Sequence, residues 1–67
     1  MSTVESMYRD VRASDADRDA VVERLRRALS QGRLTVAEFD ERAAAAYAAK
    51  TQGDLEVLTR DLPGSLW

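Results

Sequence analysis

The segment from Gly32 to Phe39 constrains this chain more than any other stretch of it. Thr35 and Glu38 stand in the T-x-x-E relation of a capping box, in which the hydroxyl and the carboxylate each accept a hydrogen bond from the other residue's backbone N–H at a helix start. Leu34, just before the cap, and Phe39, four residues into the helix, hold the positions of a hydrophobic staple. Gly32 stands where a left-handed C-cap residue would end a preceding helix. A helix stop and a helix start about four residues apart favour two antiparallel helices packed directly on one another.

Both arms of that hairpin are readable. Ser14 can accept from the backbone N–H of Asp17, which reaches back as a capping box with Asp in place of Glu, and Asp15, Asp17 and Asp19 suit the positive end of a helix dipole. Val21, Val22, Leu25, Ala28 and Leu29 follow at helical spacing, so the first helix is expected from about Asp15 to Gln31. The second is expected from Val36 to Lys50, with Val36, Phe39, Ala43, Ala46 and Tyr47 on one side and Glu38–Arg42 as an i,i+4 ion pair on the solvent side. Thr51 and Asp54 can cap a third helix, whose Leu55, Leu58 and Leu62 form one stripe up to Pro63 and Gly64. Val4, Met7, Tyr8 and Val11 fit a short N-terminal helix that would form only by docking, since an isolated helix of that length is marginal in water.

The expected fold is therefore all-α: an antiparallel helical hairpin with a third short helix across it. Residues 1–13 are read as an N-terminal segment, 14–63 as the helical domain and 64–67 as a tail. The expected core is Val21, Val22, Leu25, Leu29, Leu34, Phe39, Ala43, Ala46, Tyr47, Leu55, Leu58 and Leu62. That list is short on bulk, and a chain of 67 residues buries only a modest fraction of its surface. There is no Cys for a disulfide, and neither Cys nor His for a zinc site. Packing and capping must supply the stability.

Composition narrows function mostly by subtraction. Without His or Cys, and with Lys50 the single lysine, most nucleophilic and acid–base schemes lack a central member, so no enzymatic activity, catalytic residue or cofactor is expected. Asp15-x-Asp17-x-Asp19 resembles the opening of a calcium loop, but Ala20 replaces the glycine of its turn and Arg26 the bidentate Glu that closes it, so no metal is expected. The net charge of -2 comes from interspersed acids and bases rather than a segregated basic face. No apolar run approaches the roughly 20 residues that span a bilayer, and no signal peptide opens the chain, so a cytoplasmic location, or one facing the cytoplasm, is expected.

Two binding surfaces can be named. Arg24, Arg26, Arg27 and Arg33 are the only basic concentration, a patch for phosphates or an acidic partner if they converge, and a solvated face held by Glu23–Arg27 if they do not. A Gly-containing turn between two helices is also the outline of a helix-turn-helix. Here, however, the reading helix would open with Glu38, Asp40 and Glu41, which a duplex repels. The alanine side of the second helix is the other surface. Small residues at Ala43 and Ala46 permit a helix to approach toward the short end of the roughly 8–10 Å interaxial range, and Leu25, Tyr47 and Trp67 are the large residues that could anchor a partner or a second copy. Arg12 or Arg18 could reach an acid of a neighbouring helix and set how the N-terminal segment crosses the hairpin.

The run Val22-Glu-Arg-Leu-Arg-Arg-Ala-Leu-Ser-Gln-Gly-Arg-Leu-Thr-Val-Ala-Glu-Phe-Asp-Glu-Arg42 resembles the SHOCT superfamily of short helical hairpins, in which a helix ends at Gly, an apolar residue and a Thr or Ser follow, and an acidic-Phe pair opens the next helix. Arg12-Ala-Ser-Asp-Ala-Asp-Arg18 upstream, and Ala49-Lys-Thr-Gln-Gly-Asp-Leu55 with Asp61-Leu-Pro63 downstream, narrow the resemblance to the actinobacterial SHOCT-like domain of unknown function 1707, over about Arg12 to Pro63. The resemblance implies no catalytic residues. It implies an N-terminal module joined to membrane-spanning or other segments, and a role in oligomerisation or recruitment. This sequence departs from the pattern by stopping soon after Pro63.

Overall fold

In a computed structural model of the chain, which describes residues 9–64, three helices follow one another: α1 (Asp15–Ser30), α2 (Val36–Ala48) and α3 (Gln52–Glu56). Each opens on a reciprocal capping box, Ser14 with Asp17, Thr35 with Glu38, and Thr51 with Asp54. The bonds are short in both directions, as in the 2.8 Å contact from the Thr35 N–H to Glu38 Oε1 and the 3.1 Å return from the Glu38 N–H to Thr35 Oγ1. α1 ends in a Schellman arrangement: the Arg33 N–H bonds the Ala28 carbonyl at 2.9 Å and the Gly32 N–H the Leu29 carbonyl at 3.0 Å. Gly32 sits at φ 76°, the left-handed conformation its position calls for.

The hairpin encloses two small apolar clusters. Leu25, Ala28 and Leu34 fill the turn end, with Phe39 and Leu62 against them. Val22, Ala46, Ala49, Ala13 and Leu55 fill the open end, with Ala43 and Leu58 against them. Val21 touches both. Of the expected core, Leu29 is half-buried outside both clusters and Tyr47 is 59% exposed. The buried arc of α2 runs through Phe39, Arg42, Ala43 and Ala46. Arg42 explains its placement. Its guanidinium does not pair with Glu38 on the solvent side but turns inward, bidentate to Asp61 at 2.8 and 3.1 Å and bonded to the Leu58 carbonyl at 3.1 Å. With Arg42 drawn in on one flank, Val36 and Tyr47 on the other turn out.

α3 is shorter than expected. After Glu56 the N–H groups of Leu58, Thr59 and Leu62 bond the carbonyls three residues back, those of Leu55 at 3.0 Å, Glu56 at 3.3 Å and Thr59 at 3.0 Å, so tight turns replace the expected later helix, and the Leu58 carbonyl also accepts from Arg42. Leu55, Leu58 and Leu62 still face the core. α1 stops at Ser30 and α2 at Ala48, one and two residues inside the expected ends.

The segment ahead of Ser14 is tied to the chain between α2 and α3. The Ala13 N–H bonds the Lys50 carbonyl at 3.0 Å and the Gln52 N–H the Val11 carbonyl at 2.8 Å, an antiparallel bridge of Arg12 with Thr51. Arg18 stitches both strands, donating to the carbonyls of Ala13 at 3.2 Å and Ala49 at 2.9 Å while pairing with Asp15 of its own helix. It thus places the N-terminal segment through carbonyls, not through an acid of another helix. That kind of ion pair belongs to Arg9, 2.8 Å from Glu56. Arg9 passes so close to α3 that a Cβ on Gly53 would sit 3.1 Å from its carbonyl oxygen. Arg9 and Asp10 are helical, and the N-terminal helix expected from Val4, Met7 and Tyr8 lies outside the described residues.

Two predictions follow from packing and capping. Leu25→Ala should cost about 2–5 kcal/mol in urea unfolding, because Leu25 has no exposed surface, whereas Tyr47→Ala should stay within about 0.5 kcal/mol. The Asp17 carboxyl titrates below its ordinary value of 3.8, chiefly because the Ser14 N–H donates to it, and Asp54 does so because the N–H groups of Lys50 and Thr51 donate to it. A carboxyl lowered on folding stabilises the fold above its unfolded value, and that contribution is lost as pH falls through the folded one. Melting temperature should therefore fall on acidification below about pH 4, and Asp17→Asn with Asp54→Asn should lower it at neutral pH while flattening that acid limb.

Candidate functional site

Three places on the molecule have the makings of a site, and the structure separates them clearly. The first is a surface cleft of about 340 Å³ between α1 and α3, floored by Val21 and Leu55 and rimmed by Asp17, Arg24, Gln52 and Glu56. Its acids are already engaged in holding the fold. Asp17 accepts from the Ser14 N–H and from the side-chain amide of Gln52, and Glu56 is paired with Arg9. Arg24 reaches along the rim to the Pro63 carbonyl at 3.3 Å. The cleft therefore offers a mixed wall with its carboxylates committed, not a pair of acids poised for proton transfer. Among the described residues no group of three or more His, Cys, Asp or Glu gathers as a metal site.

The second is the basic set. Arg26 and Arg27 share Glu23, at 3.0 and 3.6 Å, and the expected Glu23–Arg27 pair is present. Arg33 folds onto the turn, 3.0 Å from Gln31 Oε1, and Arg24 turns toward the C-terminal segment. At 3.6 residues per turn, Arg24, Arg26 and Arg27 leave α1 on different sides. The arrangement is that of a solvated helix face with local partners.

The third is α2. Three of the residues expected to meet a partner are taken up by the fold itself: Leu25 of α1 and Ala46 have no exposed surface, and Ala43 packs against the cluster that α1 and α3 complete. The seam beside Ala43 and Ala46 is thus already filled from within the chain, which corrects the expectation that another helix would fill it. Trp67 lies outside the described residues. The opposite side of α2 is different. Over 13 residues only Ala46 is fully buried, and Val36 at 65% and Tyr47 at 59% are exposed, with Ala37, Ala44 and Ala48 exposed along the same side. The same helix also shows solvent the acids Glu38, Asp40 and Glu41, while α1 shows Asp19, Glu23, Arg26 and Arg27, so the large apolar side chains Val36 and Tyr47 are what set the outer side of α2 apart. Sequence periodicity placed Val36 and Tyr47 inward. The signal for the other choice was Arg42, whose length and charge let it reach Asp61 in the segment after α3.

The comparisons agree with this architecture. No solved structure matches the chain. Two curated relatives, both described as uncharacterized proteins and coming from two strains of Mycobacterium tuberculosis, are each 46% identical over 54 residues. That alignment covers 81% of this chain but 27% of each relative, so the chain spans about a quarter of the length of the curated relatives it matches. No helix among the described residues is long and apolar enough to cross a membrane. The model of the DUF1707 SHOCT-like domain matches residues 11–63, from the first residue of the bridged segment to the proline that follows Leu62. Three capping boxes, the Schellman turn and the bridged segment all fall within that match, and the chain belongs to the DUF1707 SHOCT-like domain family.

Proposed function

We propose that this domain is a non-catalytic protein–protein interaction module, acting by self-association or recruitment through the outer face of α2. The observation that carries the reading is the exposure of Val36 and Tyr47 on the outer side of α2, among alanines and the acids Glu38, Asp40 and Glu41. A small domain with a thin core has every reason to bury such residues, and large aromatic side chains left in solvent are the kind that anchor interfaces. The match to only a quarter of each relative's length supports the same reading, because a module that occupies part of a longer protein can serve to bring its neighbours together. Committed carboxylates in the cleft and dispersed arginines on α1 give neither catalysis nor nucleic-acid binding comparable support.

Sedimentation of the purified domain from micromolar to millimolar concentration tests this, with Tyr47→Asp as the variant. Tyr47 is exposed, so the substitution should leave the helical content and melting temperature close to wild type. The expected result is concentration-dependent association of the wild type that Tyr47→Asp weakens at least tenfold. Identical, strictly monomeric behaviour of both, alone and within the longer relatives, would overturn the reading.

A further inference from the structure

We infer that the outer face of α2 takes an amphipathic helix of another protein that carries an arginine or lysine between two apolar side chains. This rests on the interaction-module reading and names the chemistry of the partner it would recruit. At about 100° per residue, Val36, Asp40 and Tyr47 fall within roughly 40° of one another around α2, so they form one stripe along it. All three are exposed, with Asp40 roughly 6 Å along the axis from Val36 and roughly 10 Å from Tyr47. Exposed Ala44 lies beside the longer gap and leaves room for another helix to come near.

A partner that buries both Val36 and Tyr47 therefore also covers the Asp40 carboxylate. Taking that charge out of water without a counter-charge costs enough to offset what two apolar side chains contribute. The domain supplies no counter-charge itself. Among the described residues no arginine or lysine pairs with Asp40. Arg42, the nearest cation in sequence, leaves α2 on the opposite side and is bound to Asp61. A second copy of α2 brings further acids to the stripe and the same engaged arginine, so two copies can touch at Tyr47 but cannot close over Asp40. The cation must come from a different chain. Arginine suits the position best, because its guanidinium is weakly hydrated and matches a carboxylate with two N–H groups. Glu38 and Glu41 leave α2 to the side of the stripe, where they stay in water and attract a basic partner from a distance. One helix face buries far less than the roughly 800 Å² per partner of a stable complex, so the contact is weak alone and gains where longer chains add others.

Helical peptides with leucine at i and i+11 of an alanine–glutamine background test this. The position that meets Asp40, i+4 in a parallel pair and i+7 in an antiparallel one, carries arginine, glutamine or glutamate. Each is titrated into isotopically labelled domain, and the amide resonances of Val36–Ala48 report binding to α2. Arginine at one of the two positions should bind roughly tenfold more tightly than glutamine there, and glutamate should bind most weakly. Asp40→Asn should erase the preference by weakening the arginine peptide and not the glutamine one. Asp19→Asn, which removes an exposed acid of α1, should leave the preference intact and so separates the contact from net charge. Equal binding of arginine and glutamine peptides, a preference that survives Asp40→Asn or disappears with Asp19→Asn, or shifts centred outside α2 would each overturn the inference. If sedimentation shows association weakened by Tyr47→Asp while arginine binds no better than glutamine, the partner chemistry is wrong and the module reading stands. If the domain neither associates nor binds any of the peptides, both fall.

Discussion

A hydroxyl at the N-cap and a carboxylate three residues later close α1, α2 and α3 alike, and most of the fold depends on that exchange. An N-cap residue must hold an extended backbone for its side chain to reach the first turn, and Ser14, Thr35 and Thr51 all do. Two of these extended points, around Ser14 and Thr51, lie side by side, and their backbones pair through the Ala13–Lys50 and Gln52–Val11 hydrogen bonds. Gln52 then donates its side-chain amide to Asp17, so a residue in the first turn of α3 bonds the carboxylate that closes the start of α1. Arg18 binds the carbonyls on either side of the bridge. Capping here is more than the finishing of helix ends. It brings the N-terminal segment, α1 and α3 to one corner, leaving the apolar side chains to fill the space between.

That division of labour follows from the size of the core. Among the described residues the fully enclosed side chains are Leu25, Ala28 and Ala46, and two of those three are alanine. Hydrophobic free energy scales with apolar area, at about 25 cal/mol per Å², so alanine packing stabilises little by itself. What it does is let α1 and α2 come close, so that Val22 and Leu55 close over Ala46 and Ala49 in one cluster. A bulkier helix would have separated the arms and moved Arg42 away from Asp61.

The hairpin, its turn and its caps were legible in the sequence because each is decided within a few residues. Gly32, Thr35 with Glu38, and Ser14 with Asp17 act on their own neighbourhood, and nothing distant overrides them. Two of the misplacements share one distant cause. Arg42 is 19 residues from Asp61, and its bonds to Asp61 and to Leu58 replace the Glu38–Arg42 pair and draw its flank of α2 inward. Tyr47 and Val36 were placed inward by periodicity, since the apolar residues of α2 cover more than one side of the helix and the spacing rule cannot choose among them. The choice goes with Arg42, whose guanidinium bonds Asp61 in the segment after α3.

The rotation has a functional consequence, because it separates the small-residue contact from the exposed one. Ala43 and Ala46 are spent on the monomer, and Leu25 with them, while Val36, Ala44 and Tyr47 are left outside. A substitution that disturbs Arg42 or Asp61 would therefore act in two ways, loosening the turns after α3 and releasing the orientation that exposes Tyr47. Asp61 is the telling member of the pair. Its carboxyl titrates below the ordinary range because the Arg42 guanidinium donates to it, so the contact persists at mild acidity and gives way only when pH falls through that lowered value. The outer face of α2 is thus set by an ion pair on the far side of the same helix, and any partner that reads Tyr47 reads, indirectly, whether Arg42 is in place.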